Sequence, residues 1–384
     1  MEKNKTIAVV TGIRSEYHIL QPVMRAIENH PHLSLQVIVT GTHLRSDFGN
    51  TWKLVNQDFK ITAKIPSLYE GNQLVDRARS LGRQTEALSR CFEKLDPDMI
   101  CVLGDREESL AVSSACTFLN RACVHISGGD RSFGSIDDIV RHAVTKLSHL
   151  HLPTTQENRQ RIVKLGEETW RVKAVGASGL DRLKETKKIS RKQLMSTVGL
   201  EDEDFVVVLQ HPLSSEVKQA AQQMKLTLQS IKKSGLASLV IYPNSDAGSQ
   251  DMIQVISDFK KPKNWKVHTT LESSIYVNAL RHAVALVGNS SAGLLEAPFM
   301  SCPAINIGTR QSQRTSGKNL IRVPHNKEKI LKALKKAKNK RFREELKQPK
   351  NRFIYGDGNT GKRIAKILAN TPINDKLLNK KITY

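Results

Sequence analysis

Short apolar runs alternate along this chain with longer amphipathic ones. In the first half, Thr6–Val10, Ser34–Thr40, Met99–Leu103, Ala122–Ile126, His149–Leu152 and Val172–Val175 predict strands. Between them, Tyr17–Asn29, Gln84–Lys94, Glu108–Leu119, Ile139–Leu147 and Gln156–Leu165 carry the spacing of helices. Strands that alternate with helices are joined as parallel βαβ units, so the pattern predicts a doubly wound α/β sheet. A lysine-rich polar stretch, Asp181–Ser196, reads as a linker and ends near the acidic turn Glu201–Asp204. The alternation then restarts, with strands expected at Phe205–Leu209, Ala237–Tyr242, Trp265–His268, Ala283–Val287 and Ala304–Ile307. The simplest parse is a first Rossmann-like domain over residues 1–185, a second over 186–365, and a C-terminal helix or tail over 366–384 that packs back on the first.

Composition adds bounds. At 384 residues, with 39% apolar and 25% charged positions, the chain has room for two cores. Met1–Lys5 leads straight into an apolar run without the features of a secretory leader. No apolar stretch approaches the roughly 18 residues of a membrane span. Cysteines at 91, 101, 116, 123 and 302 fall mostly within apolar runs, the pattern of buried thiols in a reducing compartment. A cytoplasmic protein without a membrane partner is expected. The formal net charge of +23 raises nucleic acid, a membrane surface or a phosphorylated substrate. Much of the excess sits in Lys327–Arg352, which a solvated basic helix explains. No zinc-finger spacing, aromatic–basic pattern or helix-turn-helix accompanies it, so no nucleic-acid partner is expected.

The residues that carry chemistry stand just after the predicted strands, where open parallel sheets receive ligands. Thr11–Tyr17 follows the first strand, and Gly12 permits a tight turn while Arg14 is placed to meet a phosphate at a helix N-terminus. Gly104-Asp105-Arg106 serves equally a general base, a sugar-hydroxyl acceptor or a local ion pair. His125-Ile126-Ser127-Gly128-Gly129-Asp130 lets backbone approach a ligand, and Asp137-Asp138 precedes Arg141 on a helical pattern that those carboxylates also suit as caps. Three carboxylate clusters on successive loops of one sheet suggest proton chemistry on an anionic substrate. In the second half, His211-Pro212, Tyr242–Asp246 with Asn244, and Gly288-Asn289-Ser290-Ser291-Ala292-Gly293 follow strands. The last runs into a helix bearing Glu296 and reads as a phosphate cradle, with Arg310 or Arg314 as a further cation. Gly356–Arg363 mimics a nucleotide-binding glycine loop, but Arg363 stands where a magnesium-binding hydroxyl belongs. Too little chain follows it for a βαβ unit, and it reads as a loop before a C-terminal helix.

Taken together, these segments resemble the UDP-N-acetylglucosamine 2-epimerase family, specifically its hydrolysing branch. The matches run in family order through Thr11–Tyr17, Val39–Leu44, Gly104–Glu107, His125–Gly129, Ile136–Leu150, Gly176–Leu180, His211-Pro212, Pro243–Ser249, Gly288–Glu296, Asn306–Gln311 and Tyr355–Gly358. The resemblance implies a GT-B-like fold, with the parallel sheets of two Rossmann-like domains facing across a central cleft. It implies a two-step reaction, elimination of UDP to a glycal and then hydration with inversion at C2, yielding N-acetylmannosamine for sialic-acid-type sugars. Neither cofactor nor metal is implied, and a homo-oligomer is. Asp105 and Asp137 match essential acids of the family, and His211 joins them as a catalytic candidate. Arg14, Ser290, Ser291, Glu296 and Arg310 match positions around UDP, with Glu296 suited to ribose hydroxyls, while Arg106, Ser127, Arg141, Asn244 and Gly288 complete the binding set. Ser127 stands where many relatives carry a catalytic Glu, and Asp130 is the replacement candidate. The same motifs occur in relatives acting on UDP-2,4-diacetamido-2,4,6-trideoxyglucose, and a GT-B glycosyltransferase shares the cleft and the UDP cradle.

Overall fold

The computed structural model describes residues 4–67, 74–131, 136–244, 246–312 and 316–384. The chain divides into two compact units, Met1–Arg182 with Tyr355–Tyr384, and Leu183–Ile354.

In the first unit the strands are β1 (Lys5–Thr11), β2 (Leu33–Thr40), β3 (Ile61–Ile65), β4 (Met99–Leu103), β5 (Ala122–Ile126) and β6 (Leu150–Leu152). They form one six-stranded sheet in the order β3-β2-β1-β4-β5-β6, with every pairing parallel. Alternation along β1 shows why both faces need cover. Ile7 and Val9 enter one apolar cluster, and Ala8 and Val10 enter another on the opposite face. The second unit repeats the plan with β7 (Phe205–Leu209), β8 (Ala237–Ile241), β9 (Trp265–His268), β10 (Ala285–Gly288), β11 (Ala304–Ile307) and β12 (Leu320–Val323). Its order is β12-β11-β10-β7-β8-β9, again parallel throughout.

Three expectations are corrected. Val172–Val175 forms one isolated bridge, His151 to Val172, and no strand. Pro153, next on the partner strand, has no N–H to continue the ladder. The supposed linker is ordered as the helices Gly179–Glu185 and Arg191–Val198, the latter capped by the Ser190 hydroxyl. Lysine suits an exposed helix face as well as a linker, so composition did not separate the two. Finally, the chain rejoins the first unit at Tyr355 rather than after 365. Helix Thr360–Asn370 buries Ile364, Ala365 and Leu368 against Leu20, Val23 and Met24 of helix Arg14–Glu28. The edge strands β3 and β12 escaped the sequence reading because their outward positions are polar or half-exposed.

The tail completes the first unit through two cations, buried Arg171 and half-buried Lys380. Arg171 donates to the carbonyls of Leu377 and Lys376, both at 2.6 Å. Lys380 reaches the Ser148 carbonyl at 2.6 Å and the Glu167 carboxylate at 2.9 Å. Among the described residues no helix is long and apolar enough to cross a membrane.

Candidate active site

In the first sheet the order reverses between β1 and β4, and the loops beyond these strands open a pocket of about 340 Å³. Asp105, Arg106, Ser127, Asp130, Asp137 and Arg141 all line it, so six sequence-derived candidates converge on one cavity. Arg141, 5% exposed, pairs with Asp105 and lies 3.7 Å from Asp138. Ser127 holds a left-handed φ of +61°, a costly conformation for a residue with a side chain. Its hydroxyl accepts from Thr154 at 3.5 Å. Beside it, Gly129 is left-handed too, and a Cβ there would stand 2.6 Å from the Asn158 carbonyl. Arg14 is exposed on the first turn of its helix and is not among the residues lining this pocket.

Two acids missed in the sequence underlie the pocket. Glu16 lines it while only 8% exposed, and accepts the Gly12 N–H at 3.0 Å. Burial, and then the neighbouring Glu108, push its pKa up to about 8, so it carries a proton at neutral pH. Glu108, 5% exposed, accepts from Arg106 at 3.1 Å. A Cβ on Gly12 would lie 2.6 Å from the Glu108 side chain, so that glycine makes room for a carboxylate rather than for a turn. In the sequence both acids look like ordinary first-turn residues of helices, which is why they escaped notice.

The second unit has its own reversal, between β7 and β10. Asn289 locks it, accepting the His211 N–H at 2.7 Å and donating to the His211 carbonyl at 2.8 Å. His211 Nδ1 accepts the Asn244 N–H at 3.0 Å, which leaves Nε2 as the protonated donor. Burial, aided by Arg310, depresses its pKa to about 4. The ring is therefore a neutral hydrogen-bond donor at pH 7. Arg310 stands 3.6 Å from Asp246, and burial, with the charge of half-buried Glu296 adding to it, raises the pKa of the Tyr276 phenol.

Other residues of the expected cradle serve the fold. Gly288 has φ +139°, and a Cβ on it would sit 2.1 Å from the Leu209 carbonyl, so it permits strand packing rather than ligand approach. The Ser290 hydroxyl accepts the Ala292 N–H at 3.3 Å and lines a small cavity of about 10 Å³. Ser291 precedes that helix with its side chain uncapped and half-buried. Arg314 lies outside the described residues. The glycine loop before Thr360 is closed to phosphate, because the Asp181 carboxylate already accepts the N–H groups of Thr360 and Gly361 at 3.0 and 2.7 Å.

Doubly wound parallel sheets with polar and ionisable groups at their reversal points define an α/β class that receives ligands there, and comparison gives the family. Residues 25–369 match the model of the UDP-N-acetylglucosamine 2-epimerase family, and the protein belongs to that family. It is 35% identical over 325 residues to the GDP/UDP-N,N'-diacetylbacillosamine 2-epimerase (hydrolyzing) of Campylobacter jejuni, covering 84% of each chain. To the UDP-N-acetylglucosamine 2-epimerase of Neisseria meningitidis it is 32% identical, covering 87% of each. The crystal structure of a Neisseria meningitidis UDP-GlcNAc 2-epimerase bound to UDP-GlcNAc superposes with a TM-score of 0.79 at 17% identity, over 95% of this chain and all of that one. The architecture is GT-B-like.

Proposed function

We propose that the protein is a hydrolysing 2-epimerase of a UDP-linked 2-acetamido sugar. The observation that carries this reading is the convergence of Asp105, Asp130 and Asp137 with Arg141 on one pocket. In the first step a carboxylate takes the proton from C2 while the C1–O bond breaks, its electron pair leaving with UDP. The glycal then gains water, hydroxyl at C1 and a proton at C2 from the opposite face. The products are UDP and the free sugar of manno configuration. Asp130, from the loop that carries Ser127, fills the role that Ser127 is chemically unable to fill. In the second unit His211 Nε2–H and the Arg310 guanidinium are suited to stabilise charge on a departing diphosphate, and Glu296 to accept ribose hydroxyls. Elimination and hydration need no redox cofactor.

For the sugar we favour UDP-2,4-diacetamido-2,4,6-trideoxyglucose over UDP-N-acetylglucosamine. Ile13, Ile19 and Leu103 give the pocket an apolar wall, which suits the C6 methyl and the second acetyl group better than the hydroxyls of N-acetylglucosamine. The Campylobacter relative's name carries that sugar. The Neisseria relative's name supports N-acetylglucosamine as the second reading.

Proton NMR in deuterated water, with each UDP-sugar and no acceptor, tests both points. Expected are UDP and a manno sugar carrying deuterium at C2, with kcat/KM at least roughly tenfold higher for the diacetamido substrate. Asp105→Asn should lower turnover by roughly 10²–10⁴-fold. UDP release that requires a sugar acceptor would instead identify a glycosyltransferase.

A further inference from the structure

Beneath the pocket lies a buried side chain that the reaction above does not use. His125, on β5, is fully buried. Its Nε2 lies 2.8 Å from the carbonyl of Gly104, the residue before Asp105. A carbonyl only accepts, so Nε2 carries the proton and Nδ1 is the acceptor. That acceptor lies 3.1 Å from the Thr145 hydroxyl. The hydroxyl has one hydrogen, which goes to Nδ1, so the Arg141 carbonyl 3.0 Å from Oγ1 is a neighbour and not a second acceptor; Arg141 itself stands one turn back on the helix that carries Thr145. Arg141 closes the circuit through its ion pair with Asp105. Gly128 leaves the ring its space, since a Cβ there would come within 2.8 Å of Nδ1.

We infer that His125 is a positioning residue that fixes the Asp105–Arg141 pair, by hydrogen-bonding the backbone ahead of the aspartate and the helix that carries the arginine. β4, β5 and helix Ile136–Leu147 are separate elements, and no backbone ladder joins the helix to β4. A rigid two-ended bridge between them sets the distance that the carboxylate and guanidinium share. The imidazole is not a proton carrier, because burial holds its pKa near 3 and both nitrogens are engaged. Displacements of about 1 Å in an active-site group cost on the order of 100-fold in rate, which sets the scale expected of its loss.

The inference rests on the proposed epimerase reading, and the test separates the two. In His125→Leu, of similar bulk without nitrogens, kcat should fall roughly 100-fold with KM within about twofold. His125→Gln, whose amide regains the donor to Gly104, should recover most of the loss. Added to Asp105→Asn, His125→Leu should cost nothing further, since it acts through the group already lost. The same loss in both backgrounds, or kcat within about twofold of wild type in His125→Leu, would overturn the inference. Should His125→Leu fail to fold, Thr145→Val removes the other end of the bridge and should lower kcat in the same direction, again without effect beside Asp105→Asn. Should the wild type turn over neither UDP-sugar, the epimerase reading fails by itself. The positioning role is then read from crystal structures of wild type and His125→Gln beside Thr145→Val, in which an Asp105–Arg141 pair unmoved by Thr145→Val overturns it.

Discussion

The two units share one strand order and use it for different chemistry. Counted from its own first strand, the second sheet reads 3-2-1-4-5-6, the order of the first. In each, neighbouring first and fourth strands send their following loops to opposite sides, and a crevice opens beyond them. The first unit furnishes it with ionisable groups, a protonated Glu16 after β1 and Asp105 with Arg106 after β4. The second furnishes it with neutral groups, His211 after β7 and Asn289 after β10, joined by two hydrogen bonds. The topology decides where a ligand goes, and the side chains in the loops decide what is done there. The glycines tell the same story. Gly12 makes room for the buried Glu108 side chain, whereas Gly288 makes room for a neighbouring backbone.

Breaking that contrast in the glycines should give the largest effect on stability. Gly288→Ala must push a Cβ into the Leu209 carbonyl at 2.1 Å while holding φ at +139°. It should destabilise the fold by at least roughly 3 kcal/mol, lowering the melting temperature by about 6–12 °C in calorimetry. Gly12→Ala meets the Glu108 side chain, which can yield, and should cost under about 2 kcal/mol while distorting the pocket. A Gly12→Ala protein that melts below Gly288→Ala would undo the distinction.

A smaller effect sharpens the contrast in charge. Glu16 keeps its proton in the folded chain up to about pH 8 but ionises near pH 4.5 when unfolded. Its raised pKa therefore supports folding fully below the unfolded value, and that support is lost as pH rises towards the folded one. Glu16→Gln cannot ionise, so its melting temperature relative to wild type should climb steadily from pH 5 to pH 8. In this window the histidines that are buried neutral in the fold titrate only in the unfolded chain, near pH 6.5, and that contribution is common to both proteins and cancels in the difference. A difference that stays flat or falls with pH would show that Glu16 is ionised in the fold.

The smallest expected change is none at all. With its pKa depressed to about 4, His211 should show no movement of its Cε1–H resonance between about pH 6 and 8. A midpoint near the ordinary histidine value of about 6.5 would mean a charged imidazolium in the second unit, and the neutral-donor assignment would be lost.

Much of this protein was legible from residue order. Continuous apolar runs such as Met99–Leu103 and Phe205–Leu209 mark strands covered on both faces, and their alternation with helices selects parallel sheets. Because ligand loops follow strands in such sheets, the positions of Asp105, Asp130 and Asp137 already nominated them together. Edge strands were illegible where half their side chains meet water, as in β3. The lysine-rich segment after Asp181 looked like a linker because surface helices and linkers share a composition.

What the tertiary structure alone decided is the condition of each group. Glu16 and Glu108 stand 92 residues apart, and only the adjacency of β1 and β4 makes them a buried pair. Asp181 closes the helix N-terminus at Thr360 because the chain returns to the first unit. His125 reads as one more apolar-run residue until its ring is seen between Gly104 and Thr145. Period and spacing are local properties that a sequence records directly. Burial, proton affinity and long-range hydrogen bonding depend on which neighbours packing supplies, and those are set when the strands take their order in the sheet.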